Sequence, residues 1–387
     1  MKVSEVLSIL PEGILEDLAL ETGVNNYSKK LQGEVLFKLL LHCILTHKEN
    51  SLRSMESAYE SLCFNILQPD AAKNKIRYSS ISERLSTIDY SYFEKLFYTC
   101  VDLFGKVIGE ESATLTRFDS TIVATSGKLL KTGYRTENSS KHLNQLKFTI
   151  GFSEIPTSAD VYLDLKYASE NLALRESILS HHPSNTHSIR CFDRGLTARL
   201  AFEEFTDKKI PFITRLNIYS KLDHQSENII KEPVETKTLI IYSDTWVYLY
   251  SEKKGKGKIP FRCIKAEQKN DQQPIWFVSN IPELSAVEIT TVYKQRWDIE
   301  TFFKFLKQEL NFSHLINRSE NGVKVILYVT LIASILLLVY KKTNKLTGFK
   351  IMKQKFVQDL EKLLVIDIVF ICGGDTGKAN QMLFNSS

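Results

Sequence analysis

The chain holds 387 residues, 43% of them hydrophobic and 25% charged, with a net charge of +5. That length leaves room for two or three domains with their own cores, and the balance excludes a disordered or collagen-like chain. The small positive excess permits nucleic-acid binding without arguing for it. Six cysteines (Cys43, Cys63, Cys100, Cys191, Cys263 and Cys372) lie far apart with no CxxC pair. This spacing fits neither a disulfide framework nor a zinc site and suits a reducing cytosol. The first residues, "MKVSEVLSILPEGILEDLAL", are interrupted by proline and acids and lack a small-residue cleavage site, so no signal peptide is expected.

Residues 1–110 read as helical. "KKLQGEVLFKLLLHCILTH" carries apolar residues at helical spacing, and Ser51 and Ser54 flank a helix start. "YSSISERLSTIDYSYFEKLFYTCVDLFGKVIG" predicts a short helix followed by a longer one. That pattern suits a DNA-reading helix-turn-helix and a plain bundle equally. Near residue 113 the texture changes. "ATLTRFDSTIVAT" predicts a buried strand with a lone Asp119, followed by the polar, basic loop "SGKLLKTGYRTENSSKHLNQ". "LKFTIGFS" and "ADVYLDLKYA" predict a hairpin, and strand "HSIRCFDRG" ends at Asp193. With helices at "NLALRESILS" and "LTARLAFEEFTDK" and a strand at "IPFITRLN", the order is β-β-β-α-β-α-β, an α/β domain. Residues 217–290 alternate as strands and predict a β-rich insertion. "VILYVTLIASILLLVY", 325–340, has no charge but falls short of the roughly 20 apolar residues of a spanning helix. A buried core helix is expected there, with a membrane anchor as the alternative.

The chemistry concentrates in "YKQRWDIETFFKFLK", residues 293–307. On one continuous helix, Arg296, Glu300 and Lys307 fall at about 300°, 340° and 320° from Tyr293, a single narrow stripe. Ile299, Phe302, Phe303, Leu306 and Leu310 form the apolar face beside it. Asp298 and Glu309 point away, at about 140° and 160°, as solvated acids. Alone, this stripe reads as an exposed ion-pair ladder. Asp119 inside a core strand and Asp193 at a later strand end change the reading, because ligand sites of α/β sheets gather at such ends. Three carboxylates hold two divalent cations, Mg²⁺ or Mn²⁺ by their oxygen-only donors, for in-line attack on a phosphodiester. Arg296 and Lys307 would then grip flanking phosphates, and Tyr293 would hydrogen-bond one or stack.

"YKQRWDIETFFKFLK" matches Y-x₂-R-x₃-E-x₆-K, and so the chain resembles the DDE-class insertion-sequence transposases of bacteria. "RFDST" and "CFDRG" resemble the regions of the group's first and second catalytic acids, and "PIWFVSNI" the strand before the third. The resemblance runs over roughly residues 35–340. It implies a ribonuclease H-like catalytic domain with a β-rich insertion, preceded by an α-helical N-terminal domain. The expected division is 1–110 helical and DNA-binding, 111–216 first part of the core, 217–290 insertion, 291–345 second part of the core, and 346–387 helical tail. It also implies cut-and-paste transposition: hydrolytic nicking at the element ends, then strand transfer into target DNA. Asp119, Asp193 and Glu300 become the metal-binding catalytic acids, with two Mg²⁺ or Mn²⁺ ions. Tyr293, Arg296 and Lys307 become DNA contacts. Relatives stack a flipped base on an insertion tryptophan; Trp246 is the preferred candidate, while Trp276, in an apolar strand, is expected in the core. The implied partners are double-stranded DNA, both terminal inverted repeats and target, and a second protomer at synapsis. The implied setting is the bacterial cytoplasm at the nucleoid, with no membrane. Leu196 departs from the pattern, in which an aromatic often follows "DRG".

Other stretches compete for attention. "HHPSNTH", 181–187, reads as a zinc site or, better, a polar loop. Asp160 and Asp164 alternate with apolar residues and predict the wet face of a strand. "KKGKGK", 253–258, is a solvated loop tip or a phosphate contact. Two other functions stay open: an inactive or domesticated DNA-binding regulator, and a ribonuclease H-like nuclease.

Overall fold

Among the described residues, the helical periodicity of residues 1–110 resolves into seven α-helices. They are α1 (Val3–Leu7), α2 (Ile14–Thr22), α3 (Gly33–Thr46), α4 (Leu52–Tyr59), α5 (Leu62–Leu67), α6 (Tyr78–Thr87) and α7 (Ser91–Ile108). The serine pair read as a helix start is a reciprocal cap on α4. Ser54 N donates to Ser51 Oγ at 3.0 Å, and Ser51 N donates to Ser54 Oγ at 2.8 Å. This computed structural model describes residues 1–26, 28–69, 75–109, 114–126, 133–134, 143–181, 188–251, 255–312 and 316–384.

The α/β region follows in the order its sequence pattern predicts. It runs β1 (Leu115–Ser126), β2 (Leu143–Phe152), β3 (Pro156–Tyr162), α8 (Glu170–Ser180), β4 (Ile189–Phe192), α9 (Arg199–Asp207) and β5 (Phe212–Leu216). β1, β2 and β3 form an antiparallel meander, while β4 and β5 add to β1 in parallel. The stretch expected to end the hairpin leaves the strand early: Leu165–Ala168 is a 3₁₀ turn.

Residues 217–290 continue this sheet. β6 (Leu222–His224), β7 (Val234–Glu235), β8 (Leu239–Ser251), β9 (Gly255–Gln268) and β10 (Pro274–Ser279) give the order β3-β2-β1-β4-β5-β10-β9-β8-β6, with β7 on β8. β10 closes the seam by pairing antiparallel to both β5 and β9. The last described residues form five α-helices: α10 (Ala286–Lys294), α11 (Trp297–Glu309), α12 (Glu320–Thr343), α13 (Phe349–Ile371) and α14 (Thr376–Phe384).

α12 contains the uncharged run. By length and composition it is apolar enough to cross a membrane, yet 94% of its most apolar window is buried inside the fold. It packs on α3, α6, α7 and α13 and on the outer strand β3. Among the described residues, helices α1–α7 share this core with α11, α12 and one face of β2. A helix that is apolar all round needs neighbours on every side, and they come from both ends of the chain.

Candidate active site

β1 and β4 lie side by side in parallel, Leu115 opposite Ile189 and Phe118 opposite Phe192. Asp119 and Asp193 each follow this last pair by one residue, Asp119 within β1 and Asp193 just past the end of β4, and each lies within reach of the other's charge. Asp119 is half-buried, and its Oδ1 accepts the Ser120 amide at 2.8 Å. Burial pushes its carboxyl up to about 6. The charges of Glu170 and Asp193 push the same way, against the Ser120 amide and Arg296. Asp193 Oδ1 accepts the Tyr293 hydroxyl at 3.3 Å. Tyr293 is buried, edge-on to Phe277 at 5.2 Å, and burial raises its phenol above the usual range.

On the other side of Asp119 stands α11. Arg296 Nη2 donates to Glu300 Oε1 at 2.5 Å, from a guanidinium that is itself buried. Two turns on, Lys307 Nζ donates to Thr121 Oγ1 of β1 at 2.7 Å. Asp119, Thr121, Glu300, Lys304 and Lys307 line one cavity of about 420 Å³. A second, of about 530 Å³, is lined by Tyr293 and Arg296 together with Arg215, Lys237, Lys294 and Trp297. Among the described residues no three His, Cys, Asp or Glu side chains stand close enough to share a metal ion. Glu300 shares the first cavity with Asp119, but its carboxylate is turned onto Arg296.

The stripe is not built on one continuous helix. α10 stops at Lys294 and α11 begins at Trp297. Across the junction the amides of Gln295, Arg296, Asp298 and Ile299 each bond three residues back, at 3.1, 2.9, 3.1 and 3.2 Å. Such 3₁₀ bonding winds about 120° per residue where an α-helix winds about 100°. The wheel angles across the break are therefore off. Asp298 is half right as a solvated acid: its side chain is 58% exposed, but its Oδ2 takes an ion pair from buried Arg117 at 2.8 Å.

Sequence reasoning passed over Glu170, the first residue of α8. Its carboxylate lies against Gly195, where any Cβ would collide with it. Lys147, 1% exposed, stands 3.8 Å from it. Burial raises Glu170, with Lys147 opposing and Asp193 adding to the rise. The next residue, Asn171, takes the Thr197 and Ala198 amides on its Oδ1 at 2.7 and 2.8 Å, tying the loop after Asp193 to α8. The signal for it in the sequence is the glycine two residues after Asp193.

Trp246 and Trp276 are separate from these cavities. Trp246 is a half-buried residue of β8 opposite Arg262. It lines neither cavity. Trp276 is half-buried rather than fully in the core, with Lys265 Nζ 4.4 Å from its ring centre. Asp160 is not merely on a wet face: it accepts Ser177 Oγ at 2.6 Å and lies 3.0 Å from His181 Nε2. Asp164 lies beyond the end of β3. Residues 182–187 of the histidine stretch, Lys253 and Lys254, and most of the basic loop after residue 126 fall outside the described residues. Of the lysine–glycine run, Gly255–Lys258 opens β9, and Lys256 pairs with Asp223.

The transposase DDE domain family matches residues 112–336, more than half of the chain, and the chain belongs to that family. A Sinorhizobium fredii protein named as a transposase, y4zB, is 28% identical over 156 residues, 40% of this chain and 43% of its own. A Synechocystis protein named as a transposase for the insertion sequence element IS4SA is 34% identical over 21% of this chain and 26% of its own. A Geobacillus stearothermophilus protein named as a transposase for the element IS5377 is 23% identical over 73% of each chain. The chain thus spans less than half the length of the first two relatives and about three quarters of the third.

Proposed function

We propose that the protein is the transposase of a bacterial insertion sequence, acting in the cytoplasm on double-stranded DNA. It nicks at the terminal inverted repeats of its element and joins the freed ends to target DNA. Asp119, Asp193 and Glu300 are the catalytic acids. The observation that supports this is the register of β1 and β4, whose last pair is followed on each chain by an aspartate, Asp119 within β1 and Asp193 just past β4, with Glu300 lining the cavity of the first. The strand order β3-β2-β1-β4-β5, antiparallel then parallel, supports a ribonuclease H-like core. The names of the relatives support the substrate.

The donor chemistry fits a hard divalent cation. Asp119 carries a carboxyl raised to about 6 among other acids, and all three donors are oxygens. Asp119, Asp193 and Glu300 would hold Mg²⁺ or Mn²⁺, which would supply Lewis-acid activation of the attacking and leaving oxygens. The chain's own residues do the rest. Tyr293 fixes Asp193 through its hydroxyl, and Arg296 holds Glu300 until DNA competes for the guanidinium. Lys304 and Lys307 offer ammonium groups to phosphates entering the cavity. Two protomers would meet at synapsis, one for each end.

The test is a cleavage and joining assay with Mg²⁺ or Mn²⁺ on DNA carrying the flanking inverted repeats. Wild type should give nicked and strand-transfer products. Glu300→Gln should bind the same DNA and give neither. Cleavage by Glu300→Gln at the wild-type rate would remove α11 from the site. Nicking without joining would turn the reading to a nuclease.

A further inference from the structure

We propose that Arg117 is a positioning residue of this centre: from the strand that carries Asp119 it locks the α10–α11 break, and so sets where Arg296 and Glu300 stand. The proposal rests on the transposase reading above. Arg117 lies two residues before Asp119, so both side chains leave the same face of β1. It is 6% exposed. Nε donates to the Gln295 carbonyl at 2.7 Å, and Nη2 to Gln295 Oε1 at 3.3 Å and Asp298 Oδ2 at 2.8 Å. Nη1 donates to the Ser153 carbonyl at 3.0 Å, just past the end of β2. Three of these four bonds thus land on the two residues that bracket Arg296–Trp297.

The Gln295 carbonyl shows why that matters. In a continuous α-helix it would accept the amide four residues on, from Ile299. Here Ile299 N turns to the Arg296 carbonyl at 3.2 Å, and Gln295 O accepts Asp298 N at 3.1 Å and Arg117 Nε. The guanidinium therefore satisfies a carbonyl at the point where the winding changes, and its second edge holds the first turn of α11 by Asp298. Arg296, between the two anchors, reaches Glu300 one turn further on. One rigid fork ties the strand of the first acid to the helix of the third across 178 and 181 residues of chain. Lysine, with a single ammonium on a flexible stem, cannot span both anchors and Ser153 together.

Arg117→Lys in the full chain tests this, with Arg117→Ala as a second variant. Hydrogen–deuterium exchange should quicken at the amides of residues 293–300 and stay unchanged over β4 and α12. Single-turnover cleavage of element-end DNA should fall about 100-fold, the scale of a misplacement near 1 Å. Binding of the same DNA should stay within about twofold, whereas removal of a group that grips phosphate would weaken binding first. Asp298→Asn should show the same pattern in weaker form, because the Gln295 anchors remain. Unchanged exchange at 293–300 in Arg117→Lys would overturn the brace. Faster exchange there with wild-type cleavage would overturn its positioning role. A wild-type chain that cleaves no element-end DNA would sink the transposase reading instead, and the brace would then stand or fall on the exchange data alone.

Discussion

Two buried clusters of charge, one in the extended half of the sheet and one at the strand ends, are built in opposite ways. In the first, Arg262 of β9 donates to both oxygens of Asp244 on β8, at 2.8 and 2.6 Å, and both side chains are nearly fully buried. Its remaining edge turns to the backbone carbonyl of Leu284, just ahead of α10. Every charge there has a fixed opposite. In the second, Asp119 shares its surroundings with Glu170 and Asp193, and the nearby cations are already engaged. Arg296 is on Glu300 and Arg117 on Asp298. Pairing is complete between β8 and β9 and incomplete around Asp119, where the proposed metal would bind. A raised carboxyl is the physical sign of the difference.

The largest effect expected comes from breaking the completed pair. Arg262→Ala leaves Asp244 charged and buried without a partner, and should cost about 3–5 kcal/mol of stability by chemical denaturation. The matching change at the strand ends should go the other way. Asp119→Asn should stabilise the metal-free protein by about 1–3 kcal/mol at pH 7. The sign follows from protons. Below the ordinary value of 3.8 both folded and unfolded chains hold the proton, and Asp119 costs nothing. As pH rises, the unfolded chain releases it first, so stability drains away until the folded carboxyl ionises at about 6. Melting curves should therefore show the Asn variant ahead at pH 7 and level with wild type below pH 4. Mg²⁺ should raise the melting temperature of wild type but not of Asp119→Asn.

Smaller effects sharpen the same contrast. Lys307→Ala removes a cation that donates to Thr121 and lies 6.0 Å from the Phe303 ring centre, and should move stability by less than about 0.5 kcal/mol. Its mark should be on DNA: weaker binding regardless of sequence, and a salt dependence shallower by about one ion in a titration. Far from both clusters, Ser51→Ala should cost about 1 kcal/mol by removing the cap on α4, with no effect on DNA cleavage per folded molecule.

Much of this was legible from local pattern. The strand and helix order of residues 115–216, the cap at Ser51 and the burial of α12 follow from period and composition, which act over a few neighbouring residues. Asp119 and Asp193 stood out because a carboxylate in or at the end of an apolar strand needs a reason. The stripe of Tyr293, Arg296, Glu300 and Lys307 was visible as spacing. What spacing cannot carry is a change of winding: three-residue bonding at 295–299 turned Asp298 toward Arg117, against the single-helix reading.

The sequence by itself determined which residues could be acids, cations and core, because charge and apolar surface are properties of single side chains. Only the tertiary structure decided which of them meet. Glu170 came to Gly195 because α8 packs on β1 and β2, and Arg117 came to Gln295 because α11 packs on β1. These meetings join residues 25 and 178 positions apart. Their partners are selected by the packing of whole elements, which no short window of sequence contains.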